Sequence, residues 1–300
     1  MREQIPKPFS VAVIGLGIMG SAFAGSLIKA GYTAQGFDPD SDASRRAENM
    51  GVRTAPTMIE AVRGADVILA SLPSESALAA SVDALTHERE KFAEEPVIVE
   101  LSTLSLECKG DAHRRLRECG IEMLDCPVSG TGAQAAVKDI VLYASGDESV
   151  FDQCRPVFDA IARQSFYLGT FGNGTKMKFI ANLLVAVHNV ATAEAYNLAR
   201  CAGMELSTVH EVIKSGAGAS RILELRGPMM VKDAFTPATM KLDVWQKDMD
   251  LIAEFAESRK AATPLFRATQ PLYEKAIEMG LGSEDTAAVI QVLGRAGASI

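Results

Sequence analysis

The chain has 300 residues, 48% of them hydrophobic, and a formal net charge of -8. That length suits about two globular domains, and the acidic balance argues against nonspecific nucleic-acid binding. No apolar run reaches the roughly 18 residues of a membrane span, and residues 1–6 lack the apolar core of a signal peptide.

Residues 9–14 read as a buried strand, followed at once by Gly15-Leu16-Gly17-Ile18-Met19-Gly20 and a helix of small and apolar residues over 21–30. Gly15 permits the tight turn, Gly17 lets a pyrophosphate approach the backbone, and Gly20 lets helix and strand pack closely. The helix start offers amide donors and the positive end of its dipole to phosphates. A second strand, 33–37, ends in Asp38, about 20 residues past the glycines, where a ribose-binding acid belongs. Its carboxylate suits the ribose hydroxyls and repels a 2′-phosphate, which favours NAD. Arg45 and Arg46 downstream soften that preference toward NADP.

The alternation continues with a helix over 57–63, a strand over 66–70, a loop over 71–76 and a strand over 97–100. A helix over 105–119 has Arg and Glu outward. Strands over 122–125, 140–144 and 165–168 follow, with a helix over 150–162 between the last two. Strands alternating with helices predict an α/β, doubly wound, mostly parallel sheet. Gly15, Asp38, Leu72, Pro73, Thr103 and Ser129 then all follow strand ends and gather on one edge, where such sheets bind ligands. In Asp125-Cys-Pro-Val-Ser-Gly-Thr-Gly132, Pro127 fixes the entering loop. Ser129, Gly130 and Thr131 present a hydroxyl and backbone donors that suit a carboxylate.

Gly172 and Gly174 mark a turn into one long helix over 175–200, apolar on nearly every side. Lys178, Asn182, Asn189 and Tyr196 nevertheless fall in a narrow stripe on one face. Buried amides and an ammonium need partners, so the stripe is either solvated, with Lys178 an ordinary surface lysine, or it places Lys178 in a cleft between two domains. Only helices follow: 207–214 with Ser207 as N-cap, 220–231 broken near Gly227-Pro228, 240–258, 264–279 and 286–293. The expected domains are a dinucleotide-binding Rossmann domain over 1–170 and an all-α substrate and oligomerisation domain over 171–300.

Three stretches, Gly-Leu-Gly-Ile-Met-Gly, Asp-Cys-Pro-Val-Ser-Gly and Gly-Asn-Gly-x-x-x-Lys-x-x-x-Asn, resemble in order the signatures of the β-hydroxyacid dehydrogenase family. Its members include 3-hydroxyisobutyrate, tartronate semialdehyde, 4-hydroxybutyrate and tetronate dehydrogenases. Lys247-Asp248 is similar to the family's late Lys-Asp. The resemblance covers nearly the whole chain. It implies Lys178 as the catalytic lysine, Asn182 as its partner, and Ser129 and Gly130 as the carboxylate cradle. It also implies Lys247 as a second lysine near cofactor and substrate, and Met19, Leu72, Pro73 and Thr103 beside the nicotinamide. Two departures stand out. Thr131 replaces the second glycine of Ser-Gly-Gly, where a side chain narrows the pocket or adds a hydroxyl, and Lys138-Asp139-Ile140 replaces Gly-x-Leu; these leave the substrate open and the hydride chemistry intact.

The implied reaction is hydride transfer between NAD, or NADP, and a three- or four-carbon hydroxy acid or its semialdehyde. Lys178 exchanges the hydroxyl proton. An unperturbed lysine, with pKa about 10.4, is a poor base at neutral pH, so desolvation and the neighbouring charge of Lys247 are expected to lower it. Other readings are a decarboxylating sugar-acid dehydrogenase, an imine reductase and a noncatalytic NAD-binding module. Lys178 counts against the imine reductase. No basic cluster offers itself for a sugar phosphate. Retention of Lys178, Asn182 and Ser129 together counts against the noncatalytic module. The histidines show no metal-ligand spacing, and no metal is expected. The scattered cysteines Cys108, Cys119, Cys126, Cys154 and Cys201 read as free thiols of a cytoplasmic protein. The apolar helix suggests a homo-dimer or homo-tetramer.

Overall fold

The computed structural model describes residues 10–91 and 96–296; Phe9 and the N-terminal residues 1–6 discussed above lie outside them. Residues up to Lys178 form one compact unit and those from Phe179 another. In chain order the first contains β1 (Ser10–Ile14), α1 (Ile18–Lys29), β2 (Thr33–Phe37), α2 (Ser41–Glu48), β3 (Arg53–Thr54), α3 (Met58–Val62), β4 (Val67–Ala70) and α4 (Glu75–His87). After these come β5 (Val97–Glu100), α5 (Leu106–Glu118), β6 (Glu122–Asp125), β7 (Val128–Ser129), α6 (Gly132–Ala135), β8 (Val141–Ala144), α7 (Glu148–Ile161) and β9 (Gln164–Tyr167).

Six strands form one parallel sheet in the order β3-β2-β1-β4-β5-β6. The reversal of direction between β1 and β4 is the crevice at which doubly wound sheets hold ligands. Side chains of each strand alternate between two cores. Val11, Val13, Val67, Leu69, Val97 and Val99 pack with α1 and α7 residues such as Phe23, Leu27 and Phe151. Ala12, Ile14, Ile68, Ala70 and Ile98 pack with Leu78, Val82, Leu85 and Leu116 of α4 and α5. Burial on both faces explains why these strands read as continuous apolar runs. Helix starts follow capping rules: Ser74 accepts from Ala77 N, Ser105 from Cys108 N, and Asp147 from Ser149 N and Val150 N.

The later strands leave this sheet. β7, β8 and β9 make a separate one, β7 antiparallel and β9 parallel to β8. Pro127 has no N–H with which to continue the ladder of β6. The chain instead crosses to β8 through paired backbone bonds, Asp125 N to Ser145 O at 2.9 Å and Ser145 N to Asp125 O at 2.8 Å. Ser129 therefore lies within a strand and does not follow one.

The second unit carries most of α8 (Asn173–Cys201), whose first turns belong to the first unit, and then α9 (Leu206–Lys214), α10 (Arg221–Lys232), α11 (Leu242–Ser258), α12 (Pro264–Glu278) and α13 (Ile290–Ala296). Three local expectations change. The central helix starts at Asn173, two residues early. Helix α9 is capped by Glu205, because Leu206 is already helical and Ser207 sits in the first turn. Helix α10 runs unbroken through Gly227 and Pro228. A Cβ at 227 would come within 2.7 Å of the Tyr196 hydroxyl and 2.8 Å of His210 Nδ1, so the glycine is there for close packing. The expected stripe is buried: Lys178 is 8% exposed, Asn182 5%, Asn189 and Tyr196 0%. Asn189 donates to the Tyr273 hydroxyl and to Thr286 O, and Tyr196 shares a 2.6 Å hydrogen bond with His210. Helix α8 is not buried all round, however; Ile180, Leu184 and Leu198 are exposed in the single chain.

Candidate functional site

The glycine loop is shaped by contacts that only glycine permits. Gly15 has φ +84°, and a Cβ there would lie 2.2 Å from Ser71 O; one at Gly20 would lie 1.8 Å from Gly15 O. Gly17 differs, since a Cβ would meet nothing within 4 Å. Gly17 is also the N-cap of α1, with no side chain capping it and no acid in the first turn. An open, uncapped start of a twelve-residue helix fits a pyrophosphate. Leu16 is fully buried, whereas Ile18 is exposed and Met19 half-buried.

Asp38 stands at the end of β2, partly exposed. One of its carboxylate oxygens accepts from Leu16 N at 2.7 Å and the other from Asp40 N at 2.8 Å. The acid thus braces the glycine loop and retains lone pairs for a ribose. Arg45 is paired with Asp42, and Arg46 lies 3.8 Å from Asp40. Both arginines are engaged by acids on and beside their own helix.

The loops after β4 and β5 are tied together. Leu72 N donates to the Ser102 hydroxyl at 2.7 Å. Pro73 is exposed beside Leu72, and Thr103 is half-buried beside Ser102. The loop holding Gly130 and Thr131 lies against the glycine loop, since a Cβ at Gly132 would meet Ile18 Cγ2 at 2.1 Å. Gly130 has φ +142° and closely faces Ile140. Within the first unit the structure therefore draws Gly15–Gly20, Leu72, Thr103 and the 129–132 loop to one sheet edge.

The polar atoms of Thr131 are engaged within its own loop. It caps α6 in a reciprocal box with Gln134: its backbone N–H donates to Gln134 Oε1 at 3.0 Å, and its hydroxyl accepts from Gln134 N. Gln134 Nε2 goes on to Asp139 Oδ2. Helix α6 is a single turn, and its cap is occupied. Lys138 adopts φ +62°, the left-handed region where glycine is the easy occupant.

Sequence reasoning passed over a buried ionic cluster. Glu100, Lys109 and Asp125, at the end of β5, within α5 and at the end of β6, are all 0% exposed. Lys109 Nζ lies 2.5 Å from Glu100 Oε2 and 2.8 Å from Asp125 Oδ1, and donates to Ser102 O at 2.7 Å. Burial pushes the Lys109 ammonium toward the neutral form, but the charges of Asp125 and Glu100 outweigh it and hold its pKa above the ordinary lysine value. Asp125 also accepts from Thr175 N at 2.8 Å, from the Thr175 hydroxyl at 2.7 Å and from the Ser145 hydroxyl at 3.2 Å. Ser145 Oγ accepts from Gly174 N at 2.9 Å. A Cβ at Gly174 would strike Tyr143 O at 2.2 Å and Asp125 O at 2.5 Å, so that glycine lets α8 dock on the strand ends. The signal was present: Lys109 falls at helical spacing with buried Ala112 and Leu116, and both acids end apolar strands.

Lys178 follows Thr175 by three residues in the first unit, and Asn182 lies one turn beyond it on α8. In the second unit Asn182 Nδ2 donates to Asp248 Oδ2 at 2.9 Å, and both residues are buried. Lys247, half-buried, precedes Asp248 on α11. Asp248 is thus the partner of the asparagine, a link that sequence spacing does not show.

A family model described as the NAD binding domain of 6-phosphogluconate dehydrogenase matches residues 10–169. One described as NAD-binding of NADP-dependent 3-hydroxyisobutyrate dehydrogenase matches residues 172–293. The chain is similar to an L-threonate dehydrogenase of Pectobacterium atrosepticum, 33% identical over 95% of this chain and 94% of that protein. It is similar to an NAD-dependent L-serine dehydrogenase of Pseudomonas aeruginosa, 31% identical over 93% and 96%. The crystal structure of a 3-hydroxyisobutyrate dehydrogenase from Salmonella typhimurium superposes with a TM-score of 0.85, at 29% identity, covering 95% of this chain and 99% of that one.

Proposed function

The chain belongs to the β-hydroxyacid dehydrogenase family, and on that premise we propose which substrate it uses and which residues act. It is an NAD(P)-dependent oxidoreductase that moves a hydride between the nicotinamide and a small hydroxy acid. Among such acids we assign it a three- or four-carbon polyhydroxy acid of the L-threonate type. The similarity to L-threonate dehydrogenase supports this class.

The observation that carries the assignment of roles is the burial of Lys178, 8% exposed, on the same helix face as Asn182. When bound, the cofactor supplies the hydride acceptor. In oxidation the Lys178 amine, in its neutral form, takes the proton of the substrate hydroxyl as the carbon gives up its hydride, and becomes an ammonium. In reduction it returns that proton. Asn182, held by Asp248, orients the substrate. Ser129 and Gly130 receive the carboxylate, with Thr131 shaping their loop and Lys247 adding positive charge. Gly15–Gly20 and Asp38 hold the dinucleotide, and Met19, Leu72, Pro73 and Thr103 border the nicotinamide. The two domains, 1–170 and 171–300, divide dinucleotide binding from substrate selection and assembly. The exposed Ile180, Leu184 and Leu198 support a homo-dimer or homo-tetramer. No helix among the described residues is long and apolar enough to cross a membrane, and five free thiols support a cytoplasmic setting.

The test is a spectrophotometric panel with NAD and NADP against L-threonate, L-serine, glycerate, 3-hydroxyisobutyrate and 4-hydroxybutyrate. L-Threonate with NAD is expected to give the highest kcat/KM; turnover confined to 3-hydroxyisobutyrate or 4-hydroxybutyrate overturns the substrate class. Cofactor choice is tested at one residue. Asp38→Asn keeps an oxygen for Leu16 N but removes the charge facing the ribose. A hydrogen bond to a charged group contributes about 1.5–3 kcal/mol, so the NAD-over-NADP ratio of kcat/KM is expected to fall at least about tenfold. An unchanged ratio removes Asp38 from cofactor discrimination.

A further inference from the structure

Two carboxylates and one ammonium, all fully buried, leave one uncompensated negative charge in the cluster of Glu100, Lys109 and Asp125. The partner that offsets it is the beginning of α8. Thr175 N reaches Asp125 directly and Gly174 N reaches it through the Ser145 hydroxyl. These amides are the positive end of a 29-residue helix. The cluster therefore does more than hold β5, α5 and β6 together.

We propose that the buried Glu100–Lys109–Asp125 cluster is the positioning element that holds Lys178 in register with the Leu72 and Thr103 loops. This rests on the reading of Lys178 as the proton-transfer group. On one side, Asp125 grips Thr175 through both backbone and hydroxyl, which fixes the first turn of α8 against sliding and rotation. Lys178 lies three residues on, about 4.5 Å along the axis and within roughly 60° of the same face. On the other side, Ser102 is gripped at three points. Its N–H donates to Glu100 Oε1 at 2.9 Å, its carbonyl accepts from Lys109 Nζ, and its hydroxyl accepts from Leu72 N. One ammonium thus bridges the loops assigned to the nicotinamide and the carboxylate that anchors the helix of the amine. Hydride and proton leave neighbouring atoms of one substrate, and a misplacement of about 1 Å in such a site costs on the order of 10²-fold.

Asp125 is too deeply buried for its own replacement to be clean, so the test is Thr175→Val. That change keeps the backbone bond and the volume and deletes one grip. With L-threonate and NAD, or the panel acid turned over fastest, Thr175→Val is expected to lower kcat about tenfold and to raise the solvent deuterium isotope effect on kcat. NADH affinity, read by fluorescence, is expected to stay unchanged, and Thr175→Ser to restore kcat. In a Lys178→Ala background Thr175→Val is expected to cost nothing further, because the group it positions is gone. A kcat within twofold of the parent, or an equal loss with and without Lys178, overturns the proposal. Near-normal turnover of Lys178→Ala alone instead overturns the proton-transfer reading on which it rests, so the two failures are told apart.

Discussion

Lys178→Ala is expected to lower turnover roughly 10²–10⁴-fold, the span of general acid–base groups, while NADH binds with unchanged affinity. In free energy this is about 3–5 kcal/mol of transition-state stabilisation. The loss arises because the hydroxyl proton has no acceptor when the hydride departs. The glycine loop and Asp38, which lie on other elements of the first unit, are left as they were. Single-turnover kinetics with NADH titration separates the two effects. Added methylamine is expected to restore part of the rate by supplying the missing base. A Lys178→Ala enzyme with near-normal kcat ends the assignment; one that no longer binds NADH shows that Lys178 serves the cofactor instead.

Lys109→Met is expected to be the most destabilising single change in the buried cluster. It removes the ammonium and leaves Glu100 and Asp125 facing one another with no countercharge, both 0% exposed. Breaking a buried pair from one side costs about 3–5 kcal/mol, which lowers the Tm of the unit that ends at Lys178 by about 6–20 °C. Adding Glu100→Gln to Lys109→Met is expected to recover part of the loss, since it removes one stranded charge. Surface pairs such as Lys275–Glu278, both exposed, are expected to change Tm little when broken. The pH dependence follows from the direction of the Lys109 shift. Burial opposes its charge, Asp125 and Glu100 favour it more strongly, and the folded pKa is raised. Its contribution is therefore fully present below the unfolded lysine pKa of about 10.4 and is lost as pH climbs through the higher folded value. Scanning Tm against pH is expected to show a decline above about pH 10 in the parent that Lys109→Met lacks. Equal Tm values for parent and Lys109→Met would exclude the cluster as a support of the fold.

The same cluster shows where local reading stops. Glu100, Lys109 and Asp125 each look ordinary in the sequence: an acid closing a strand, a lysine in a charged helix, an acid closing a second strand. Their meeting depends on β5 and β6 becoming neighbours with Glu100 opposite Asp125. A register shift of one residue would turn either acid to the other face. Thr131 is a second case. Its replacement of glycine and the Thr-x-x-Gln spacing of a capping box are both visible in the chain, but that pattern alone leaves open whether the hydroxyl faces a ligand or caps α6. Gly227-Pro228 is a third, a helix breaker by propensity that packing against Tyr196 and His210 overrides.

By itself the sequence determined the doubly wound parallel sheet, the glycine loop with its acid at Asp38, the helical second half and the alignment of Lys178, Asn182, Asn189 and Tyr196 on one helix face. These depend on rules acting over a few residues: short apolar runs alternating with helical spacing, and a turn whose positive φ at Gly15 only glycine takes easily. The tertiary structure alone decided the separate sheet of β7, β8 and β9, the pairing of Asn182 with Asp248, and the ionic cluster beneath α8. Each of these needs two segments distant in sequence to arrive at one place, and desolvated charges and amides make that arrival specific because they find their partners nowhere else.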